Sequence, residues 1–498
     1  MTSSSGVGLI VRADAPGATI ERNVHGQFVE HLGSGVYGGI WVGEDSAIPN
    51  THGIRADVVE ALRRLHVPVI RWPGGCFADR YHWRDGVGRR AARPRRVNAS
   101  WGGVIETNAF GSHEFMEFAE LIGAAPYVNG NVGSGSPQEM AEWVEYLTSD
   151  ADSELADLRR RNGRHMPWAV PYLGFGNEPW GCGGSMRAAT YADEFRRFAT
   201  FVGTGLGSTI CRIAAGADGE DPGWTETLMA DAGPQLDALT VHHYTLPTGS
   251  SKRKGAATGF GEAEWISTMS RCLRIDEVIR NHAAILDRFD PAKRVALIVD
   301  EWGTWYDPDP GTDPAALRQQ NGIRDALVAA VTLNVLHGHA DRVRMANIAQ
   351  LVNVLQAMIL TDEDRIVLTP TYHVFEMYRP FQGATSVPVE LEAPGYALGD
   401  RTVPSLHASA AIDGRGRRIL GVVNLLPFTT AEVSARIAGA RVTRATGRVL
   451  TADEMDAVND VERPDAVSPL PLGTALRMRP GGVDLELPPK SVAVVQIE

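Results

Sequence analysis

Cysteine is scarce in this chain. Four cysteines (Cys76, Cys182, Cys211 and Cys272) among 498 residues make no disulfide framework, and the expectation is a cytoplasmic protein with reduced thiols. Long apolar runs are missing too: none reaches about 18 residues, so no membrane span and no membrane partner is expected. The start, Met1-Thr2-Ser3-Ser4-Ser5-Gly6, lacks the basic and apolar regions of a secretory leader. Positive charge is in deficit. With 48 Lys and Arg against 60 Asp and Glu, the net charge of −12 argues against nucleic acid as a partner. No internal repeat or low-complexity segment supports a solenoid.

What is present is an ordinary core composition, 44% hydrophobic and 22% charged, in a chain long enough for a barrel enzyme plus a second domain. Short apolar runs predict strands at 26–31, 67–71, 125–129, 170–173, 211–215, 239–244, 295–301 and 343–348. Helical spacing predicts helices at 55–66, 114–122, 137–147, 188–202, 224–232, 262–287 and 313–337, with a last one beginning at 372. Ser136 ahead of Pro137 reads as a helix cap. Eight strand-then-helix units between about 20 and 380 predict an α/β fold, a (β/α)8 TIM barrel. From 381 to 498, alternating runs such as 407–412, 418–423 and 491–497 predict a C-terminal antiparallel β-sandwich of jelly-roll type. Residues 6–13 alternate like a strand with no helix after it, so residues 1–19 are expected to pair into that sandwich.

Catalytic groups of a parallel barrel stand at the C-terminal ends of its strands. That rule selects Glu30 after the first strand, Glu178 after the fourth, and Asp300 with Glu301 at the end of the seventh. Glu178 sits in a glycine-rich turn, Gly174-Phe175-Gly176-Asn177-Glu178-Pro179-Trp180-Gly181-Cys182-Gly183-Gly184. Glu301 follows it by 123 residues, the length of three βα units of about 41 residues, so both acids point into one mouth. Two facing carboxylates are the equipment of a glycosidase: one protonates the leaving oxygen, the other attacks the anomeric carbon, and their mutual repulsion at about 5 Å helps separate their pKa values. Trp180, Trp302, Trp305 and Tyr306 lie close by in sequence as candidate stacking surfaces for a sugar.

The chain resembles glycoside hydrolase family 51, the α-L-arabinofuranosidases of the retaining barrel clan. The residues that carry the likeness are Gly26-Gln27-Phe28-Val29-Glu30-His31-Leu32-Gly33, Arg71-Trp72-Pro73-Gly74-Gly75-Cys76-Phe77, Tyr81-His82-Trp83-Arg84-Asp85-Gly86, Glu106-Thr107-Asn108, the turn from Gly176 to Gly184, Asp300-Glu301-Trp302-Gly303, Asn353-Val354-Leu355-Gln356 and Leu487-Pro488-Pro489-Lys490-Ser491. The resemblance implies Glu178 as general acid/base, Glu301 as nucleophile and Asn177 as a hydrogen-bond partner of the sugar 2-hydroxyl. It implies Glu30, Cys76, Trp101, Tyr244 and Gln356 as pocket lining, with Tyr244 also able to donate to Glu301. It further implies exo-acting release of arabinofuranosyl residues from arabinan- or arabinoxylan-derived oligosaccharides, no metal and no cofactor, and a homohexamer. The alternative within the clan is an endo-β-glucanase or a β-xylosidase-type enzyme. Many members carry asparagine where this chain has Cys76; the cysteine form accompanies the Trp-Gly-Cys-Gly-Gly turn. Cys76 and Cys182 then either approach each other at the pocket or remain two independent buried thiols.

Three other signals invite a function. His242-His243 resembles a metal pair, but neighbours on a strand point to opposite faces and cannot hold one ion together; one core or pocket histidine and one packed against a helix are expected. Asp300 is likewise expected to point away from Glu301 into a structural hydrogen bond or salt bridge. The loop with five arginines between Arg89 and Arg96 reads as a solvated or subunit-contact loop, or as a border of the leaving-group side. Gly203-Thr204-Gly205-Leu206-Gly207 follows a helix rather than a strand and reads as a turn.

Overall fold

The computed structural model describes residues 6–202 and 209–498. The opening Met1–Ser5 and the glycine-rich stretch 203–207 lie outside the described residues. Eight parallel strands close a barrel in sequence order: Gly26–Phe28, Val69–Trp72, Ala125–Gly130, Tyr172–Phe175, Cys211–Ala217, Ala238–Thr245, Ala296–Thr304 and Val343–Ala349. Closure comes where Asn347 of the eighth strand pairs with Gly26 of the first. The strands read as apolar runs because both faces are covered, by barrel contents inside and helices outside. The seventh is buried along its entire length.

The helices follow their apolar stripes. Ala56–Leu65 buries Val58, Val59, Leu62 and Leu65, and Ser136 caps Pro137–Thr148 by accepting the Glu139 N–H at 3.1 Å. Three readings need correction. The helix expected from 313 starts at Ile323. Its start signal is Gly322, whose N–H donates to Asp325 at 2.7 Å; Asp313 caps only the short turn Pro314–Ala316, which Leu317 ends at φ +47°. The helical region at 262–287 is two helices, Glu262–Cys272 and Arg274–Phe289. A short helix at Glu154–Arg161, capped by Ser153, was not foreseen.

Beyond the barrel, strands build two sheets whose facing sides share a core of Leu9, Val11, Leu420, Val422, Val433, Val483, Leu485 and Val495. Val7–Val11 lies inside one of them, antiparallel to Val389–Leu391 and parallel to Ala431–Ile437. The sandwich rests on the helix Ile323–Gly338, which is buried on nearly all sides and mostly apolar, its buried polar groups being hydrogen-bonded; Ser409 donates to Asn334 at 2.6 Å across that junction. Among the described residues no helix is long and apolar enough to cross a membrane.

Candidate active site

The fourth strand runs into Gly176, at φ +79°, and then into Glu178, at φ +41°. The left-handed conformation is unusual for glutamate and turns its side chain into the barrel mouth. The Glu178 carbonyl then accepts N–H groups from Gly181 at 2.8 Å and Gly183 at 3.1 Å, closing the turn tightly. From the sixth strand, His242 and Tyr244 project to the same side, as residues two apart on a strand must. His242 Nδ1 is 2.9 Å from Glu178 Oε1 and 3.7 Å from Glu301 Oε2. Tyr244 donates its hydroxyl to Glu301 Oε2 at 2.8 Å. Carboxylate oxygens of Glu178 and Glu301 and a ring nitrogen of His242 all lie within 4.8 Å of one another.

Arg71, at the end of the second strand, organises the floor. Its Nη1 donates to Glu301 Oε1 at 2.8 Å and its Nη2 to Asn177 Oδ1 at 2.6 Å, while Nε stands 3.3 Å from Asp300. With the Asn177 oxygen engaged, its amide nitrogen faces Cys182 Sγ at 3.8 Å, and its second N–H is the one that can meet a ligand. Asp300 does not turn away as alternation implies. The register slips from Val241↔Val299 to His242↔Glu301, so one extra residue is accommodated on the seventh strand. Asp300 therefore also faces inward, where it accepts from Tyr127 at 2.9 Å and from Asn347 at 2.7 Å.

Burial pushes the Glu301 carboxyl up, but the charges of His242 and Arg71, with hydrogen bonds from Arg71 and Tyr244, outweigh it and hold the group below the usual range. Burial lowers His242, and the two carboxylates more than reverse this. Glu30 behaves differently: burial, then the charge of Glu301, push it up to about 7 despite hydrogen bonds from Phe77, Trp101 and Gln350. Glu178, His242 and Glu301 lie within ligand reach for a metal ion, but Arg71 and His242 already supply the cationic groups that hold Glu301.

The pocket wall departs from the sequence reading in several places. Of the two alternatives for Cys76 and Cys182 the structure takes the approach at the pocket, as a disulfide with Cα atoms 5.5 Å apart, so the expectation of reduced thiols holds only for Cys211 and Cys272. The pairing joins the loops after the second and fourth strands, with both sulfurs within 4.8 Å of a Glu178 oxygen. Trp101 is carried by an unforeseen hairpin, Arg96–Asn98 with Val104–Glu106, and donates to Glu30 at 2.9 Å. Gln356 does not reach the pocket. It is fully buried, accepts from Thr304 N at 2.8 Å and donates to the Asp325 carbonyl and the Thr371 hydroxyl. Gln350 instead donates to Glu30 at 3.1 Å. Of the four aromatics, Trp302 stacks on Phe375 and Tyr306 bonds Asp325, both away from the mouth. Only Trp180 and Trp305 line the cavity of about 580 Å³ that opens beside Glu178, His242 and Tyr244. His243 lines its edge, held below its usual range by burial.

The arginine loop is partly solvated, as expected, with Arg89, Arg95 and Arg96 exposed, but two of its arginines reach inward. Arg93 grips Glu114 at 3.0 Å, Arg90 reaches the same carboxylate at 2.9 Å, and Arg96 pairs with Asp85 at 2.7 Å. Arg71, Gln350 and Asp79 carry no role in the sequence reading, although Arg71 and Gln350 stand at strand ends, as the rule that found the glutamates requires.

Known proteins share this arrangement. A profile of the α-L-arabinofuranosidase 1 domain matches residues 61–257, and one of the α-L-arabinofuranosidase C-terminal domain matches residues 300–491. An intracellular exo-α-L-arabinofuranosidase of Bacteroides ovatus is 47% identical over 98% of this chain and 95% of its own length. The crystal structure of a family 51 arabinofuranosidase from Xanthomonas axonopodis pv. citri superposes with a TM-score of 0.97 at 52% identity, covering 99% of this chain and 100% of that one. An α-L-arabinofuranosidase of Thermotoga maritima, solved as an arabinose complex, gives 0.84 at 30% identity over 99% and 100%. With two arabinofuranosidase domains matched and near-full-length relatives at these identities, the chain belongs to glycoside hydrolase family 51, the α-L-arabinofuranosidases.

Proposed function

We propose that this arabinofuranosidase is exo-acting and retaining, releasing terminal α-L-arabinofuranosyl residues from arabinan- or arabinoxylan-derived oligosaccharides by double displacement. The observation that carries this reading is the approach of Glu178 and Glu301, whose carboxylate oxygens come within 4.8 Å. Retaining pairs stand about 5 Å apart, whereas inverting pairs need roughly 6.5–9.5 Å to admit a water. Glu301, kept ionised by Arg71, His242 and Tyr244, attacks the anomeric carbon while Glu178 protonates the departing oxygen. An arabinosyl–Glu301 ester forms. Glu178, now a base, draws a proton from water, which cleaves the ester and returns the original configuration. His242, in contact with both carboxylates, fixes the position of Glu178 by a hydrogen bond and supports the charge at Glu301.

Exo action is supported by the name of the Bacteroides ovatus relative, an exo-α-L-arabinofuranosidase. Asn177, with its second amide N–H open to a ligand, is placed to bind the 2-hydroxyl, a contact that strengthens in the transition state. The chemistry needs no cofactor. Intracellular action is supported by the name of the Bacteroides ovatus relative. A homohexamer is supported by the family resemblance and by the apolar Val97, Val104 and Ile105 left exposed on the hairpin; its mass is read by sedimentation.

Proton NMR of the first turnover tests the mechanism. Appearance of α-arabinofuranose before mutarotation is expected; initial release of the β-anomer would exclude double displacement.

A further inference from the structure

Asp79 has no part in the steps above, yet it is almost wholly buried directly beneath them. It lies in the turn Ala78–Arg80 that follows the second strand, and its side chain is 3% exposed. Its partners are backbone groups of two other loops. Oδ1 accepts from Val132 N at 2.8 Å and Gly133 N at 2.7 Å, after the third strand; Oδ2 accepts from Asn177 N at 2.7 Å, at the end of the fourth. Its own carbonyl accepts the Ser134 hydroxyl at 2.8 Å. One carboxylate thus ties three consecutive barrel loops at the residue before Glu178.

Space around it is closed. A side-chain carbon added at Gly183 would stand 2.7 Å from Asp79 Oδ2 and 2.0 Å from the Asn177 carbonyl. One added at Gly176 would stand 3.3 Å from Oδ1 at a φ of +79° that side chains rarely adopt. The glycines of the Glu178 turn therefore do more than permit a bend: they let the backbone close down onto this carboxylate. A bond to a charged acceptor is stronger and shorter than a neutral one, and this one fixes the peptide from which the left-handed Glu178 departs. Burial pushes the Asp79 carboxyl up to about 6, while these backbone N–H groups and the charge of Arg71 oppose that rise. Its side-chain hydrogen bonds go to backbone N–H groups at the site.

We propose that Asp79 is a positioning residue: it holds the Asn177–Glu178 backbone so that the Glu178 carboxyl meets the leaving oxygen. This rests on the reading of Glu178 as general acid. A misplaced acid harms substrates in proportion to their need for protonation, whereas a loosened fold harms all of them alike. The test is kcat/KM, which reports arabinosyl transfer to the enzyme, for a nitrophenyl and a benzyl α-L-arabinofuranoside. Wild type, Asp79→Asn, Asp79→Glu and Glu178→Ala are compared, with thermal melting of each. An amide can present its single oxygen to only one of the two N–H clusters, and the longer glutamate displaces both. In either Asp79 variant, about 30-fold loss on the benzyl substrate is expected with no more than about 3-fold on the nitrophenyl one, the signature of impaired acid assistance. Equal losses on the two substrates, or failure of both variants to fold, would make Asp79 a fold-maintaining residue and overturn the proposal. If Glu178→Ala itself shows no difference between the substrates, the general-acid assignment is the part that fails.

Discussion

Glu30 is the residue whose chemistry is most out of keeping with its surroundings. It is buried, faces Glu301 and is pushed up to about 7. A carboxyl raised in the folded state is stabilising while protonated in both states, and that contribution is lost as pH rises from its unfolded value near 4.5 through about 7. The wild type is therefore expected to lose about 3 kcal/mol across that window. In Glu30→Gln the loss should vanish. The new amide keeps an oxygen for Phe77 and Trp101, and Gln350, whose own oxygen is buried and unpartnered, can turn to accept its N–H. Melting at pH 5 and pH 8 reads this. The variant should become relatively more stable at the higher pH while arabinofuranosidase activity collapses; parallel pH dependence of both proteins would refute the account. At this scale Glu178 and Glu301 were legible, because acids at strand ends stand out. Arg71 was not: an arginine at a strand end looks ordinary until its burial and its three partners are known. The resemblance put Gln356 in the pocket where Gln350 stands, because the chain doubles back after the eighth strand and a motif match does not say which amide faces inward.

At the scale of elements, the turn from Gly176 to Gly184 is held from two sides, by Asp79 beneath and by the disulfide above. Cys76 and Cys182 close a loop of 106 residues between the second and fourth strands. Such a link is worth about 2–4 kcal/mol, chiefly by restricting the unfolded chain. Replacing both cysteines by serine, or adding a dithiol reductant to the exposed Cys182 side, should lower stability by that amount and raise KM about 10-fold as the pocket wall loosens. Unchanged melting and unchanged KM would show the link to be idle. The sequence could name Cys76 and Cys182 as a possible pair, after strands that share a barrel face. It could not decide between a bond and two separate thiols, because that depends on the exact approach of two loops separated by one intervening βα unit. Helix starts show the same limit. Ser136 was readable because its cap and the proline after it are local, whereas the true start at Gly322 was masked by an equally plausible aspartate at Asp313 that caps only a single turn.

Across the whole molecule, the barrel was legible because eight apolar runs at similar intervals leave few other closures, and the change to short alternating runs near 381 marked the sandwich. The place of the first strand follows from the same alternation but has a consequence the sequence does not display. Val7–Val11 is an interior strand of its sheet, with Leu9 and Val11 each 1% exposed between partners from residues 389–391 and 431–437. A chain lacking residues 1–12 should lose those two side chains, about 1.5–3 kcal/mol each, together with two ladders of backbone bonds. That is a large part of a domain's stability. Insolubility or a markedly lower melting temperature is expected in the truncated chain, and an unchanged melting curve would contradict this role.

The division of labour between the two carboxylates is the centre of the account, and it can be read directly. A slow arabinofuranoside bearing fluorine at the second carbon and an activated leaving group should arrest the enzyme as its glycosyl ester, and peptide mapping by mass spectrometry then locates the added sugar. One equivalent on the peptide containing Glu301 is the predicted result. Label on Glu178 or Glu30, or inactivation without any covalent adduct, would contradict it.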